Sequence, residues 1–439
     1  MKKTYLIFGV LLVLFNNLYA QDTQLSKEEA VKLTLENNFG IVIANNNVKI
    51  AENNKGILNS RFLPALTANS GASYDKNDQE ATFQDGSVSA IDGAETTRYN
   101  ASLDLNYTLF DGLGRWYDYK RLKEEYNLSE LQARETIETT MLQLFTVYFE
   151  VARVSENIAI LQETYENTEN RLTRAEYNFE YGQNNKLDVL NAQVDLVNDS
   201  INLMNERQML ENTQRDLNVL LNRELSIDFA VDTTVVFTNP LVLEEFLVNG
   251  EANNIRMLQA EKNIMINNYS LKAGKSVFLP TIGLTGSYGW NQGNFPVTNF
   301  LSSSTSTGFS GGVNLSWNLF DGGNGITQIK NAKILLDSQE TVEQQIKKEV
   351  RRDIANAKGN YENRLQVYQL QEQNVVTATN NYDRSNERYK LGQITSVELR
   401  QAQINLLNAQ TSKSLAKYNA KLAELQLLQL TGQLLNVKY

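Results

Sequence analysis

The 439-residue chain contains neither cysteine nor histidine. The absence of cysteine excludes disulfide bonds, thiol nucleophiles and a lipoprotein-type acyl anchor. The absence of both residues removes the most common zinc ligands, and without histidine the usual general base near neutral pH is missing. We therefore expect no catalytic residue, no cofactor and no metal site, and the chain is not expected to be an enzyme.

Proline is also scarce, and the chain has only four, at Pro64, Pro240, Pro280 and Pro296. Long stretches therefore lack the residue that most often interrupts a helix. Acidic residues outnumber basic ones, because 41 Lys and Arg face 51 Asp and Glu, which gives a formal net charge of −10. An acidic chain of this kind is not expected to bind nucleic acid.

The first twenty residues have the pattern of a signal peptide. Lys2 and Lys3 precede an apolar run from Tyr5 to Phe15, and Ala20 offers a cleavage point. A run of about ten residues is too short for a spanning helix, which needs about 20. No later segment is long and apolar enough either. We expect residues 1–20 to be removed and the mature chain to be exported, without a transmembrane helix.

An internal repeat organises the rest of the chain. The motif Leu-Phe-Asp-Gly at 109–112 recurs at 319–322, and Gly-Gln at 182–183 recurs at 392–393, which is a shift of 210 positions in both cases. Phe-Leu-Pro likewise occurs at 62–64 and 278–280. We therefore divide the mature chain into repeat 1 over residues 21–222, a connecting segment over residues 223–250, and repeat 2 over residues 251–439.

Each repeat contains two segments in which apolar and polar residues alternate. The alternation predicts strands over about 65–74, 99–109, 281–290 and 309–319. Each is about ten residues long, enough to cross a bilayer when tilted. The intervening segments 75–98 and 291–308 are rich in Gly, Ser, Thr, Asn and Asp and are predicted loops. The alternative is a soluble antiparallel sheet with one face on a core.

Long helices are predicted after the strands. Helices over about 114–181, 185–222, 325–391 and 395–431 lack interior proline, and a helix of roughly 68 residues would reach about 100 Å. Several apolar series have heptad spacing. The predicted seam of the second helix consists of Leu190, Val194, Val197, Ile201 and Met204. Two apolar flanks on the first helix favour a ring of helices over a plain coiled-coil rod.

Four strands cannot form a closed membrane barrel. A sheet in lipid must close, because an open edge leaves backbone N–H and C=O groups unpaired in hydrocarbon, and membrane barrels begin at eight strands. Several copies of the chain must therefore contribute. Two, three or four copies would supply eight, twelve or sixteen strands, and the spacing of the residues does not choose among these numbers.

The doubled order of motifs resembles the TolC family of outer-membrane efflux proteins. In each repeat, Phe-Leu-Pro, two amphipathic strands, Leu-Phe-Asp-Gly and a helical hairpin follow one another. The hairpin motifs are Gly182-Gln183 followed by Leu187-Asp188-Val189-Leu190-Asn191-Ala192-Gln193, and Gly392-Gln393 followed by Val397-Glu398-Leu399-Arg400-Gln401-Ala402-Gln403. The resemblance covers essentially the whole mature chain.

This resemblance implies a mainly α fold with a membrane β-barrel. A homotrimer would form a twelve-stranded barrel in outer-membrane lipid above an α-helical tunnel in the periplasm. It would export small molecules or proteins together with a periplasmic adaptor protein and an inner-membrane transporter. The hairpin tips, with Gly182, Gln183, Gly392 and Gln393, would contact the adaptor.

Acidic residues near the tips constrict the periplasmic entrance of the tunnel in this family. Asp188 and Glu398 lie six residues after the tip glycines and match that position. A second interpretation is local, because Asn185 with Asp188 and Thr395 with Glu398 have the spacing of helix N-caps and their N3 partners. The two interpretations are compatible, since a capping carboxylate can also face a lumen.

The entrance departs from the family pattern at two positions. A second acid is replaced by Gln401, and a basic residue common in the family is replaced by Ile394. Tyr389 matches a tyrosine that helps close the tunnel in relatives by bonding to the position of Asp188, and the alternative for Tyr389 is heptad packing. The closing network is therefore expected to be thinner than in the family.

Two other functions compete with a channel. The first is a non-catalytic periplasmic coiled-coil scaffold, in which the strands pack on a core. The second is an exported hydrolase with paired carboxylates, but pairs such as Glu28-Glu29 and Glu124-Glu125 fall on polar helix faces. Asp111 and Asp321 follow the strands directly and are predicted to cap the long helices, with Gly112 and Gly322 allowing the bend.

Overall fold

The computed structural model describes residues 24–183 and 185–437, so the predicted signal peptide lies outside the described residues. Within the described residues, the first half of the chain forms three β-strands and four α-helices. Its elements are β1 (Gln24–Leu25), α1 (Lys27–Asn37), α2 (Phe39–Asn54), β2 (Ala65–Thr82), β3 (Val88–Asp111), α3 (Gly114–Glu180) and α4 (Lys186–Leu220).

The second half repeats this order. Its elements are β4 (Ala230–Val231), α5 (Pro240–Val248), a single turn (Gly250–Asn253), α6 (Ile255–Gly274), β5 (Thr281–Asn294), β6 (Ser303–Ser316), α7 (Asn324–Lys390) and α8 (Ser396–Leu430). Helices α3 and α7 each have 67 residues, and α4 and α8 each have 35. Among the described residues, no helix combines the length and apolarity that crossing a membrane requires.

The chain folds into two compact units that cut across the repeats. The sheet unit comprises Val48–Glu130 and Ala260–Gln344. The helical unit comprises the described residues up to Asn47, then Leu131–Gln259, and the described residues from Gln345 onward. Each repeat contributes two strands to the sheet unit and most of a helical hairpin to the helical unit.

The sheet unit is built on a four-stranded antiparallel sheet in the order β2-β3-β5-β6. Strands β3 and β5 join the two repeats, with Asp111 opposite Thr281. Within the described residues, β2 and β6 each pair on one side only. The sheet therefore has two free edges.

Two predicted boundaries in the sheet are wrong. Segment 75–98 is mostly strand and not loop, because β2 continues to Thr82 and β3 begins at Val88. Charged side chains pair across this extension, Lys76 with Glu95 at 2.9 Å and Arg98 with Asp75 at 3.3 Å. Cross-strand pairs of opposite charge stabilise a hairpin that polar composition alone suggests is a loop.

The fourth strand is also shifted from its predicted range of 309–319. β6 begins at Ser303 and ends at Ser316. The Trp317 indole N–H donates to the carbonyl of Phe278 at 3.1 Å, outside the sheet ladder. Ser and Thr fill the residues that open the strand, so apolar alternation does not mark them, although Thr favours strands.

The predicted helix caps after the strands are confirmed. The Asp111 carboxylate accepts from the Arg115 backbone N–H at 3.0 Å, and the Asp321 carboxylate accepts from the Gly325 N–H at 2.6 Å. Gly112 has φ +68° and thus takes the left-handed conformation at the bend. A Cβ at Gly112 would also lie 2.7 Å from the Cβ of Leu279, so only glycine fits there.

The helical unit has its hydrophobic core around the middle of α3. Both apolar flanks predicted for this helix are buried, including Phe145, Tyr148 and Phe149. They pack with the ends of α4 and α8, through Leu217 and Leu425 among others. The two flanks therefore pack against two neighbouring helices, α4 and α8, of the same protomer.

Tyr148 also connects the beginnings of the two repeats. Strands β1 and β4 form a short parallel pair, with Leu25 opposite Val231. The buried Tyr148 hydroxyl donates to the Leu25 carbonyl at 2.8 Å and accepts from the Asp232 N–H at 3.0 Å. Burial raises the pKa of Tyr148 to about 12, so the hydroxyl stays neutral and keeps its proton for this bond.

Replacing Tyr148 with Phe should loosen the β1–β4 pair. The change leaves the Leu25 carbonyl and the Asp232 N–H without their partner, which costs about 1–3 kcal/mol for buried groups. Hydrogen exchange of the peptide that contains Asp232 should accelerate by roughly 5- to 150-fold. Tyr177→Phe, at a side chain 58% exposed, is the matched control. Unchanged exchange in Tyr148→Phe would contradict the assigned role.

Candidate functional site: the helical hairpin tips

Both hairpins turn on a glycine at the end of the long helix. Gly182 has φ +72° and Gly392 has φ +71°. After Gly182, the Gln183 N–H donates to the Asn178 carbonyl at 2.7 Å, and the Gln393 N–H does the same to Arg388 at 2.9 Å. This bonding closes a helix with a left-handed residue. Gln183 and Gln393 are exposed, so the predicted tip residues are available for contact.

The capping interpretation of the entrance acids is confirmed. The Asn185 side chain accepts from the Asp188 N–H at 3.1 Å. Thr395 and Glu398 form a complete capping box, in which Thr395 accepts from the Glu398 N–H at 3.2 Å and its own N–H donates to the Glu398 carboxylate at 2.7 Å. The backbone N–H and the hydroxyl of Thr395 together lower the pKa of Glu398.

The two carboxylates differ in their own bonding. The Glu398 side chain is held by the cap, whereas the half-buried Asp188 side chain has no hydrogen bond or ion pair within the part of the chain that the structure describes. Because the Glu398 pKa is lowered, this group remains charged at pH values where an ordinary glutamate begins to be protonated. The second tip therefore keeps the negative charge of Glu398 at neutral pH.

Tyr389 is not brought to Asp188 in the protomer. Its hydroxyl is buried and has no hydrogen-bond partner among the described residues. The ring lines a polar cavity of about 350 Å³ together with Asn167, Asn170, Arg171, Arg174, Tyr382, Asn386, Lys390, Leu399 and Gln403. The closing contact that the resemblance suggests is therefore not formed in this structure, and Tyr389 takes part in interhelical packing.

The helical unit also contains a buried polar cluster near the tips that was not predicted from the sequence. Its centre is the Arg400 guanidinium on α8, which binds both oxygens of Asp199 on α4, at 2.7 and 2.8 Å. Only 2% of the Asp199 side chain and 14% of the Arg400 side chain are exposed. Burial alone would lower the pKa of Arg400, but the Asp199 carboxylate reverses that effect and raises it. Arg400 is therefore fully charged.

The cluster extends to α3 and to the start of α8. Arg171 on α3 contacts Asp195 at 2.5 Å and donates to the Ser396 carbonyl at 3.3 Å. The Thr168 hydroxyl lies 2.7 Å from Asp199, and the Gln403 amide donates to Thr168 at 3.0 Å. Helices α3 and α4 of the first hairpin are thus bonded to α8 of the second within one protomer.

One sequence signal pointed to this cluster. The buried stripe of α4 includes Val189, Ala192, Asp199 and Leu203, so a carboxylate occupies a position of the apolar spacing. A charge on a buried stripe requires a charged partner. The predicted seam on α4 had more apolar residues, but Leu190, Val194, Val197, Ile201 and Met204 are all exposed in the protomer, from 47% to 67%. The predicted seam therefore lies on the face of α4 that points away from the protomer's own core.

Removing one partner of the Asp199–Arg400 pair should destabilise the protein more than removing both partners. Asp199→Leu or Arg400→Met alone leaves a buried charge without its partner and should cost about 3–5 kcal/mol. The double variant should recover most of that loss, as measured by thermal unfolding in detergent. Arg215→Met is the control, because Arg215 and Glu211 form an exposed pair worth about 1 kcal/mol or less. Additive losses in the double variant would contradict a coupled buried pair.

Comparison with known proteins gives a consistent result. The family model described as "Outer membrane efflux protein" matches residues 30–223 and 247–433, one segment for each half of the chain. The outer membrane protein TolC of Vibrio cholerae serotype O1 is 21% identical over 377 residues, which cover 85% of this chain and 83% of that protein. TolC of Escherichia coli K12 is 22% identical over 389 residues, covering 85% and 76%.

Solved structures agree on the fold. The outer membrane channel CmeC of Campylobacter jejuni superposes with a TM-score of 0.77 at 18% identity, over 93% of this chain and 85% of that one. The family match extends over most of the chain and coincides with the two repeats. The chain therefore belongs to the outer membrane efflux protein family.

Proposed function

We propose that three copies of this chain close their sheets into one twelve-stranded barrel, the outer-membrane exit duct of a tripartite pump. The duct would export small molecules or proteins, with a periplasmic adaptor at the hairpin tips and an inner-membrane transporter beyond it. It acts as a conduit with no catalytic step. The observation that carries the proposal is the amphipathic four-stranded sheet with two free edges.

The free edges require other copies. Each unpaired backbone group in hydrocarbon costs several kcal/mol, so a lipid-embedded sheet needs β2 of one copy to pair with β6 of the next. With four strands per copy, two copies would give an eight-stranded barrel and four copies a sixteen-stranded barrel, and both sizes occur in membranes. The number three comes from the family resemblance.

The two faces of the sheet have opposite character. On one face, the Asp104 carboxylate accepts from Asn69 at 2.8 Å, from Ser102 at 2.7 Å and from Ser287 at 2.5 Å. On the other face, exposed apolar side chains include Leu103 and Leu315. A hydrogen-bonded carboxylate suits a water-filled lumen, and the leucines suit lipid.

The exposed seam on α4 supports a ring of helices. Its five residues, from Leu190 to Met204, have heptad spacing and are all exposed. An exposed apolar stripe of this kind marks an interface. A neighbouring copy is the partner that the proposed ring supplies.

The face assignment can be tested in the outer membrane. Leu103→Arg places a charge in lipid and should cost roughly 2–4 kcal/mol near the midplane, which reduces the amount of assembled trimer. Asn106→Arg places the same side chain on the lumen face and should assemble normally. Trimer is measured by size-exclusion chromatography with light scattering after detergent extraction. Assembly of Leu103→Arg but not of Asn106→Arg would reverse the faces, and a monomer in detergent-free buffer would contradict the channel.

A ring of tip carboxylates should select cations. Three Asp188 and three Glu398 would surround one opening, and like-charged side chains at a constriction repel anions. Asp188→Asn with Glu398→Gln should therefore reduce cation selectivity modestly, as measured by reversal potentials in a planar bilayer. The effect is modest because Gln401 replaces a further acid.

The control removes the same number of charges from the outgoing helices, at Glu180 and Glu387, both exposed. The variant Glu180→Gln with Glu387→Gln should have a cation selectivity nearer to that of the wild type than the Asp188→Asn, Glu398→Gln variant has. If Asp188 and Glu398 only cap helices, the entrance variant costs about 0.5–2 kcal/mol per cap and leaves the reversal potential unchanged.

A further inference from the structure

The two ends of the sheet differ in charge. At the hairpin end, residues 75–98 contain six acidic and two basic residues, and residues 291–308 contain no charged residue. At the helix end, residues 111–123 contain four basic and two acidic residues, and residues 269–281 contain two lysines and no acid. In an acidic chain, positive charge is thus concentrated where the strands meet α3 and α6.

Lysines at this end lie over aromatic rings. The Lys120 Nζ is 5.2 Å from the ring centre of Trp116, and the Lys123 Nζ is 4.4 Å from that of Tyr119. On α6, the Lys272 Nζ is 5.6 Å from the ring centre of Tyr269, and Lys120 approaches the same ring at 6.0 Å. We call this group the lysine–aromatic collar, consisting of Trp116, Tyr119, Lys120, Lys123, Tyr269 and Lys272.

The collar lysines have no carboxylate partner. Across the described ranges 24–183 and 185–437, no ion pair involves Lys120, Lys123 or Lys272. The arginines on the same helix are different, because Arg115 pairs with Asp111 at 3.0 Å and Arg121 pairs with Glu125 at 2.5 Å. Three ammonium groups of the collar are therefore available to an external anion.

The collar lies on the side of α3 away from the polar face of the sheet. Arg115 and Arg121 line a cavity of about 590 Å³ with Thr281 and Ser316, which belong to the polar face of their strands. At 100° per residue, positions 116, 120 and 123 lie on the opposite side of the helix from 115, 118 and 121. Trp116 is 45% exposed on that side. Trp116, Lys120 and Lys123 are thus on the side away from the polar face, which is the side of Leu103 and Leu315.

We propose that the collar binds the phosphate groups of anionic phospholipids in the periplasmic leaflet of the outer membrane. This rests on the proposed function, since the sheet must lie in the membrane for the collar to meet headgroups. Trp and Tyr favour the interface, where their rings lie at headgroup depth. The lysine stems pack along the rings while the ammonium groups reach the phosphates.

Native mass spectrometry with phosphatidylglycerol and phosphatidylcholine tests the proposal on the assembled protein in nanodiscs. The wild-type protein should retain phosphatidylglycerol in preference to phosphatidylcholine. Lys120→Gln with Lys123→Gln and Lys272→Gln should weaken retention of phosphatidylglycerol by about 100-fold, since each lysine near an anionic surface contributes about fivefold. Equal retention of both lipids by the wild type would overturn the proposal.

A matched variant separates the collar from overall charge. Lys186→Gln with Lys348→Gln and Lys390→Gln removes three exposed lysines from the helical unit and should retain phosphatidylglycerol as the wild type does. Equal weakening in this control would overturn a local site, and so would displacement of the lipid by millimolar inorganic phosphate. Loss of the trimer in the collar variant would show that the collar is a contact between subunits.

Channel conductance distinguishes the two proposals. It is measured for the wild type and the collar variant in the same lipids. Normal conductance without lipid preference would overturn the collar alone and leave the channel intact. Absence of conductance and of trimer in the wild type would overturn the proposed function itself.

Discussion

The assembly of this molecule depends on one constraint, which is that every backbone N–H and C=O group in lipid needs a hydrogen-bond partner. Four antiparallel strands leave one row of N–H and C=O groups free on β2 and another on β6. In lipid those groups can be satisfied only by another strand. The helices also lack a partner, because the exposed seam of α4 has heptad spacing but no packing partner within the described protomer. Both features are explained together if the functional unit is a ring of copies.

The sequence predicted regular structure better than it predicted the polar contacts. Alternation and heptad spacing depend on a residue's own chemistry, so long helices and amphipathic strands are visible in one chain. The Asp199–Arg400 pair depends on two positions 201 residues apart, and no local pattern joins them. The strands beyond residue 74 were missed for a related reason, since the Lys76–Glu95 pair that stabilises them forms only after the hairpin closes.

At the tips, the residues that stabilise the helix starts are the ones that the proposed function requires. Glu398 completes a capping box, and its pKa is lowered by the bonds from Thr395 that fix the helix start. The charge that the proposed entrance would use is therefore held in place by the bonds that begin α8. Asp188 differs, since its N–H is capped by Asn185 while its half-buried carboxylate has no bonding partner among the described residues. The first tip consequently has the less constrained charge of the two.

The β1–β4 pair also imposes an order on biogenesis. Gln24 and Leu25 pair with Ala230 and Val231, more than two hundred residues later in the chain. A chain that emerges from its N-terminus cannot complete this pair, or the Tyr148 bond that bridges it, until the second repeat has begun to emerge. A truncation before residue 230 would leave β1 without its partner strand and the Tyr148 hydroxyl without the Asp232 N–H.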